Sequence, residues 1–200
     1  MHDMFNPVPR FPTFEALVDA MQAWTDDPLA SARTNVVIYR GNPAARLMLI
    51  GEAPGAEEDV QRKPFVGPSG QLLDQILRSV DLDPETDVVV TNAVFRRPPN
   101  NRVPTPEEIA WYRPFLLEII RLVDPAVILL VGAVATRSVL DEKRGITQIR
   151  GQWLDWNGRR VMAIFHPAYL LRNPSREPGS PKALTWRDIR EVRAKLDALG

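Results

Sequence analysis

Residues 47–55 read Leu-Met-Leu-Ile-Gly-Glu-Ala-Pro-Gly. Leu47 to Ile50 is a short apolar run without alternation. Stopped by glycine and proline, it predicts a strand buried on both faces that empties into a loop. Three further runs share the pattern: 88–91 (VVVT), 127–131 (VILLV) and 161–165 (VMAIF). Helical patterns lie around them. Phe14, Leu17, Val18, Met21 and Trp24 recur at helical spacing behind Thr13, a candidate N-cap. Leu72, Leu73, Ile76, Leu77 and Val80 form a second such set. Thr105-Pro106-Glu107-Glu108 reads as a capping box with proline at the first helical position. The helix it opens carries Ile109, Tyr112, Leu116, Ile119 and Ile120 on one face. Gly132 precedes a short helix, and Ser180-Pro181 opens a C-terminal one. Buried strands separated by helices predict an α/β fold: a three-layer α/β/α domain around a central four-stranded parallel sheet. Ligands of such sheets bind beyond the carboxyl ends of the strands. The unusual loops fall there: 51–55, 92–102, Gly132 and 166–174.

The chain has 200 residues, which suits one domain over 1–200, with 1–12 expected as an extended N-terminal arm. No repeat or long linker divides it. No apolar run reaches the roughly 18 residues of a membrane span. The N-terminus lacks the apolar core of a signal peptide, so a cytoplasmic location and no membrane partner are expected. Cysteine is absent, which excludes disulfides, thiolate catalysis and thiolate-held metals. No cofactor and no metal are expected. The histidines are His2 and His166. His2 lies on the terminus, so imidazole chemistry falls to His166. Charge balances at 25 basic and 25 acidic residues, but not locally. From Arg144 to Arg176 there are six arginines and one acid, Asp155. Residues 96–102 hold three arginines and no acid. Arginine clusters favour phosphate partners, although codon bias also enriches arginine.

Glu52, Asn92 and His166 each follow a predicted strand. A carboxylate, a carboxamide and an imidazole on neighbouring strand ends suit the reading of a polar ring and the activation of a water. Phe65, in Lys63-Pro-Phe-Val-Gly67, suits covering a flat ligand. Leu170 and Leu171 suit insertion into a stack. Each residue also has an ordinary reading: Glu52 solvated, Asn92 a turn or cap, Phe65 core, His166 a satisfied turn, and the leucines buried against the last helix. The 51–55 loop lacks the Gly-Lys-Ser/Thr ending of a nucleotide-hydrolysing loop.

Together these segments resemble the uracil-DNA glycosylase superfamily, and within it family 4. The resemblance runs from about Trp24 to the C-terminus. It rests on Gly51-Glu-Ala-Pro-Gly55 with Glu57-Glu-Asp59, on Lys63-Pro-Phe-Val-Gly67 with Ser69-Gly70, on Thr91-Asn-Ala-Val94 leading into Arg97-Pro-Pro99, and on His166-Pro-Ala-Tyr-Leu-Leu-Arg172. It implies an enzyme that flips uracil out of DNA and hydrolyses its N-glycosidic bond, with uracil-containing DNA as partner. The alternative is a non-catalytic DNA-binding or damage-sensing module on the same fold. The implied roles are Asn92 on the Watson–Crick edge, Phe65 stacking on the base, and His166 donating to O2. Glu52 is implied to orient water or stabilise the sugar cation, and Gly51 and Ala53 to contact the base. Leu170 is implied as the wedge, with Leu171 and Arg172 left open. Arg97, Arg102, Arg150 and Arg172 are expected at phosphates.

The resemblance has one large departure. Family 4 implies four cysteines around an iron–sulfur cluster. Those positions here read Trp24, Asp27, Arg96 and Tyr112. Ligands of one cluster must be neighbours in space. The expectation is therefore an Asp27–Arg96 salt bridge, with the two rings filling the vacated volume.

Overall fold

A computed structural model describes residues 10–199. The six strands are β1 (Tyr39–Gly41), β2 (Leu47–Gly51), β3 (Val88–Asn92), β4 (Val127–Val131), β5 (Trp153–Trp156) and β6 (Arg159–Ile164). The helices are α1 (Phe14–Gln22), α2 (Ala56–Gln61), α3 (Pro68–Arg78), α4 (Pro106–Val123), α5 (Ala133–Leu140), α6 (Ile146–Ile149), α7 (Pro167–Arg172) and α8 (Pro181–Ala198). One sheet runs in the order β1-β3-β2-β4-β6-β5.

The inner strands β3, β2, β4 and β6 pair in parallel and are the four expected from the apolar runs. The expected four-stranded sheet is corrected to six, because β1 and β5 add antiparallel edges. Both are short and only half-buried, so neither carries a continuous apolar run. The β5–β6 hairpin turns on Asn157-Gly158, with φ of 47° and 78°. That pair is a common signal for a two-residue hairpin.

Buried side chains divide between the faces. Leu17, Met48, Ile50, Tyr112, Ile119 and Leu130 lie on one side, among α1, α4 and α5. Leu49, Leu73, Leu77, Val90, Leu129 and Ile189 lie on the other, beneath α3 and α8. Two apolar layers around one sheet make the three-layer α/β/α architecture. The caps follow the sequence. The Thr13 hydroxyl accepts from Ala16 N–H at 3.2 Å. Thr105 and Glu108 form the reciprocal pair that opens α4.

The expected arm falls mostly on residues 1–9, and His2 with it, outside the described residues. Residues 10–12 are irregular, and Phe11 is held to α4: its N–H donates to Glu118 at 2.9 Å. Among the described residues no helix is long and apolar enough to cross a membrane.

β2 has parallel neighbours on both sides, β3 and β4. The chain leaves its carboxyl end at the point where strand order diverges, and crevices open there. The register sets Gly51 directly beside Asn92.

Candidate active site

At this edge lies a cavity of about 620 Å³, lined by Glu52, Ala53, Phe65, Asn92, His166 and Arg172 among others. The loops are tied together behind it. Ala93 N–H donates to the Gly51 carbonyl at 2.9 Å, and Val94 N–H to that of Glu52 at 3.0 Å.

Gly51 is required by crowding. A Cβ there would lie 2.4 Å from the Phe65 ring and 2.5 Å from Asn92 Oδ1. Only a bare backbone lets ring and carboxamide converge. Phe65 is buried, with φ of 56°. The left-handed region is costly for an aromatic residue and persists only where surroundings impose it. Gly70 is part of that imposition, since a Cβ on it would lie 1.8 Å from the Phe65 carbonyl oxygen.

Asn92 is 1% exposed, and its Oδ1 is buried with no hydrogen-bond partner. A buried, unpaired acceptor costs about 1–3 kcal/mol. Asn92 is also part of the cavity wall.

His166 is the N-cap of α7, and its Nδ1 accepts from Ala168 N–H at 3.1 Å. An imidazole that accepts at Nδ1 carries its proton on Nε2 when neutral. Burial pushes its pKa down to about 4; the nearby Arg172 charge adds to this and Glu58 opposes it. The ring is therefore a neutral donor at physiological pH. It stacks on Phe65, with centroids 5.7 Å apart and planes 30° off parallel. Burial raises the Glu52 carboxyl above the ordinary range, against the pull of Arg137.

The remaining expected site residues divide. Arg172 lines the cavity and is exposed. Arg97 is half-buried, and its Nε donates to Asn101 at 2.6 Å. Arg102 lines the cavity but holds Glu108 with two bonds, of 2.9 and 2.6 Å. Arg150, expected at a phosphate, already has a partner. It points inward, pairs with Asp188 under burial, and lies over the Phe165 ring at 5.7 Å. The two leucines of α7 differ in exposure. Leu170 is 1% exposed, whereas Leu171 is 46% exposed. α7 turns consecutive side chains about 100° apart, and here that step takes the side chain from the interior to the surface.

Sequence reading assigned no role to Glu58, although Glu57-Glu-Asp59 was part of the resemblance. Its carboxylate accepts from Gly55, Val66 and Gly67 N–H groups. The four positions that differ from the family's cysteines are neighbours. Arg96 Nε meets Asp27 Oδ2 at 2.7 Å with both side chains buried, so the expected salt bridge is present. Arg96 also donates to the Trp24 carbonyl at 2.7 Å and to that of Thr34. The Tyr112 hydroxyl donates to Asp27 Oδ1. Burial and the Asp27 carboxylate push that hydroxyl's pKa up, which keeps the proton on it. Trp24 lies 5.8 Å from Tyr112 and 4.6 Å from Phe115, ring centre to ring centre. With no thiolate in the donor set and rings in the volume, this place does not fit an iron–sulfur cluster.

Comparison with known proteins gives the family. The model of the uracil DNA glycosylase superfamily matches residues 38–190. A type-4 uracil-DNA glycosylase of Thermotoga maritima is 46% identical over 188 residues, 93% of this chain and 96% of that protein. One of Archaeoglobus fulgidus is 38% identical, over 73% of this chain and 77% of its own length. A type-5 uracil-DNA glycosylase of Pyrobaculum aerophilum is 32% identical, over 79% and 74%. A family model that spans the inner sheet and the cavity loops, with a relative matched almost end to end, makes this chain a member of the uracil DNA glycosylase superfamily.

Proposed function

We propose that this chain is a uracil-DNA glycosylase, which takes uracil out of the DNA stack and hydrolyses its N-glycosidic bond to leave an abasic site for base excision repair. The observation that carries the reading is the unpaired, buried Asn92 Oδ1 in the wall of a cavity that also holds a neutral imidazole donor. Asn92 Oδ1 accepts from uracil N3–H, and its amide group donates to O4. Cytosine has an acceptor at N3 and a donor at C4, so it opposes both contacts. Phe65 covers one face of the base.

Water attacks C1′ of the deoxyribose, and the electron pair of the glycosidic bond leaves with uracil N1. Negative charge spreads to O2, where His166 Nε2–H donates. Preorganised donors at developing charge are worth about 3–4 kcal/mol each. A neutral donor suits this task, because an imidazolium would lose its bond from Ala168 N–H. Glu52 lines the same cavity and, ionised, orients the water or balances the cationic sugar; the proton that the water loses passes to this carboxylate or to solvent. The backbone at Gly51 and Ala53 contacts the base. Arg97 and Arg172 meet phosphates, and Leu171 enters the gap left in the stack. The partner is uracil-containing DNA, encountered in the cytoplasm.

The test is release of uracil from an oligonucleotide with one deoxyuridine, read as strand cleavage after alkali. The expected result is cleavage by the wild type and a strong loss with Asn92→Ala. Binding of the same DNA without cleavage would instead favour the non-catalytic module.

A further inference from the structure

We propose that Glu58 is a positioning residue of this pocket: its carboxylate clamps the 51–55 loop to the 63–67 loop and thereby fixes the Phe65 ring against the base. The inference rests on the uracil excision proposed above, in which Phe65 stacks on the substrate.

The bonds run to two different loops. Glu58 Oε2 accepts from Gly55 N–H at 3.2 Å. Its Oε1 accepts from Val66 N–H at 2.9 Å and Gly67 N–H at 2.8 Å. A carboxylate three residues into a helix ordinarily needs only the first of these, to cap its own N-terminus. The other two hold the residues that follow Phe65. On the preceding side, the buried Arg40 donates from Nε to the Pro64 carbonyl at 2.9 Å. Phe65 is thus gripped on both flanks by hydrogen bonds to charged groups, which are the stronger kind.

The grip has work to do. Phe65 has φ of 56°, a conformation that an aromatic residue leaves when nothing holds it. Relaxation of that angle would swing the ring away from His166, on which it now stacks at 5.7 Å. The opposite end of the clamp holds Gly55, whose loop supplies Glu52. One carboxylate therefore sets the spacing between the base-stacking ring and the loop that carries the water-orienting acid. Both its oxygens are occupied by backbone donors, which distinguishes it from a proton acceptor.

The experiment compares Glu58→Ala, Glu58→Gln and Phe65→Ala in the full chain, with residue-resolved amide exchange and single-turnover uracil release. Glutamine keeps one acceptor and puts a donor at the other position. The expected exchange result is faster exchange at Gly55, Val66 and Gly67 in Glu58→Ala, but at Gly55 alone in Glu58→Gln. The excision rate should fall about 10- to 100-fold in Glu58→Ala, as for other small misplacements of reacting groups, and less in Glu58→Gln. Added to Phe65→Ala, Glu58→Ala should cost clearly less than it does in wild type, because the part of its effect that passes through the Phe65 ring is already lost. Unchanged protection of Val66 and Gly67, or losses that multiply in full, would overturn the clamp. A wild type that releases no uracil would overturn the function instead, and amide exchange would still decide the clamp.

Discussion

The cavity edge and the Asp27–Arg96–Tyr112 cage are both polar clusters set into an apolar interior, but they are finished differently. In the cage the polar groups are engaged. Asp27 takes Arg96, Tyr112 and the Leu29 N–H, and Arg96 takes two carbonyls besides. At the cavity a buried acceptor has no partner, an aromatic residue sits at positive φ, and an imidazole is held neutral. Satisfied networks fix structure. Strain and unpaired groups collect at sites that bind or react.

The largest test of this contrast is Asp27→Ala. It strands a buried guanidinium and should cost on the order of 3–5 kcal/mol of stability by denaturant melting. The activity of the molecules that remain folded should not change. An equal loss of turnover would make the cage part of the site.

His166→Ala is the mirror experiment. Its single-turnover rate should fall about 100- to 1000-fold, as for loss of one oxyanion donor, with much less loss of binding to abasic DNA. Equal losses in both would reduce His166 to shaping the pocket.

The third test uses pH. His166 has a folded pKa of about 4, against roughly 6.5 in an unfolded chain. Between these values the unfolded chain binds the extra proton. Stability from this group is therefore complete above about pH 6.5 and falls as pH drops towards 4, by up to about 3 kcal/mol. Urea melts should show that slope in wild type and a flatter one in His166→Gln. Excision should show no step near pH 6.5. Its acid limb should instead follow Glu52, above the ordinary carboxylate range because burial raises it. Urea melts whose pH slope is the same in wild type and in His166→Gln would return His166 to an ordinary solvated pKa.

The smallest effect is on salt dependence. Removing Arg172 should lower the slope of log affinity against log salt by about one unit at most. Removing Arg150, which Asp188 occupies, should leave the slope unchanged. A slope change on losing Arg150 would show that its ion pair opens on DNA.

The inner sheet was legible because each of its strands is buried on both faces and so reads as an unbroken apolar run. The edges were not, because three or four half-buried residues leave no such run, although Asn157-Gly158 marked the hairpin. Glu52, Asn92 and His166 could be expected together because strand ends gather side chains far apart in sequence, whereas Phe65 follows no strand and joined them only through the family resemblance; all four line one cavity. Glu58 was not: one acid among Glu57, Glu58 and Asp59 looks like its neighbours until the fold aims it at backbone donors.

By itself, then, the sequence determined the layers, the parallel core and the edge at which chemistry collects. Hydrophobic period and strand-end position are properties of local sequence. Tertiary structure alone decided which arginine is occupied, which leucine is outside and which acid holds a loop. Arg150 and Arg172 are the same residue type in equally acid-poor segments, but only Arg150 has Asp188 brought against it from α8. Leu170 and Leu171 are adjacent and identical, but the step of about 100° between them leaves Leu170 in the core and Leu171 outside. These outcomes depend on what the rest of the chain places opposite each side chain, and that is fixed only when distant segments meet.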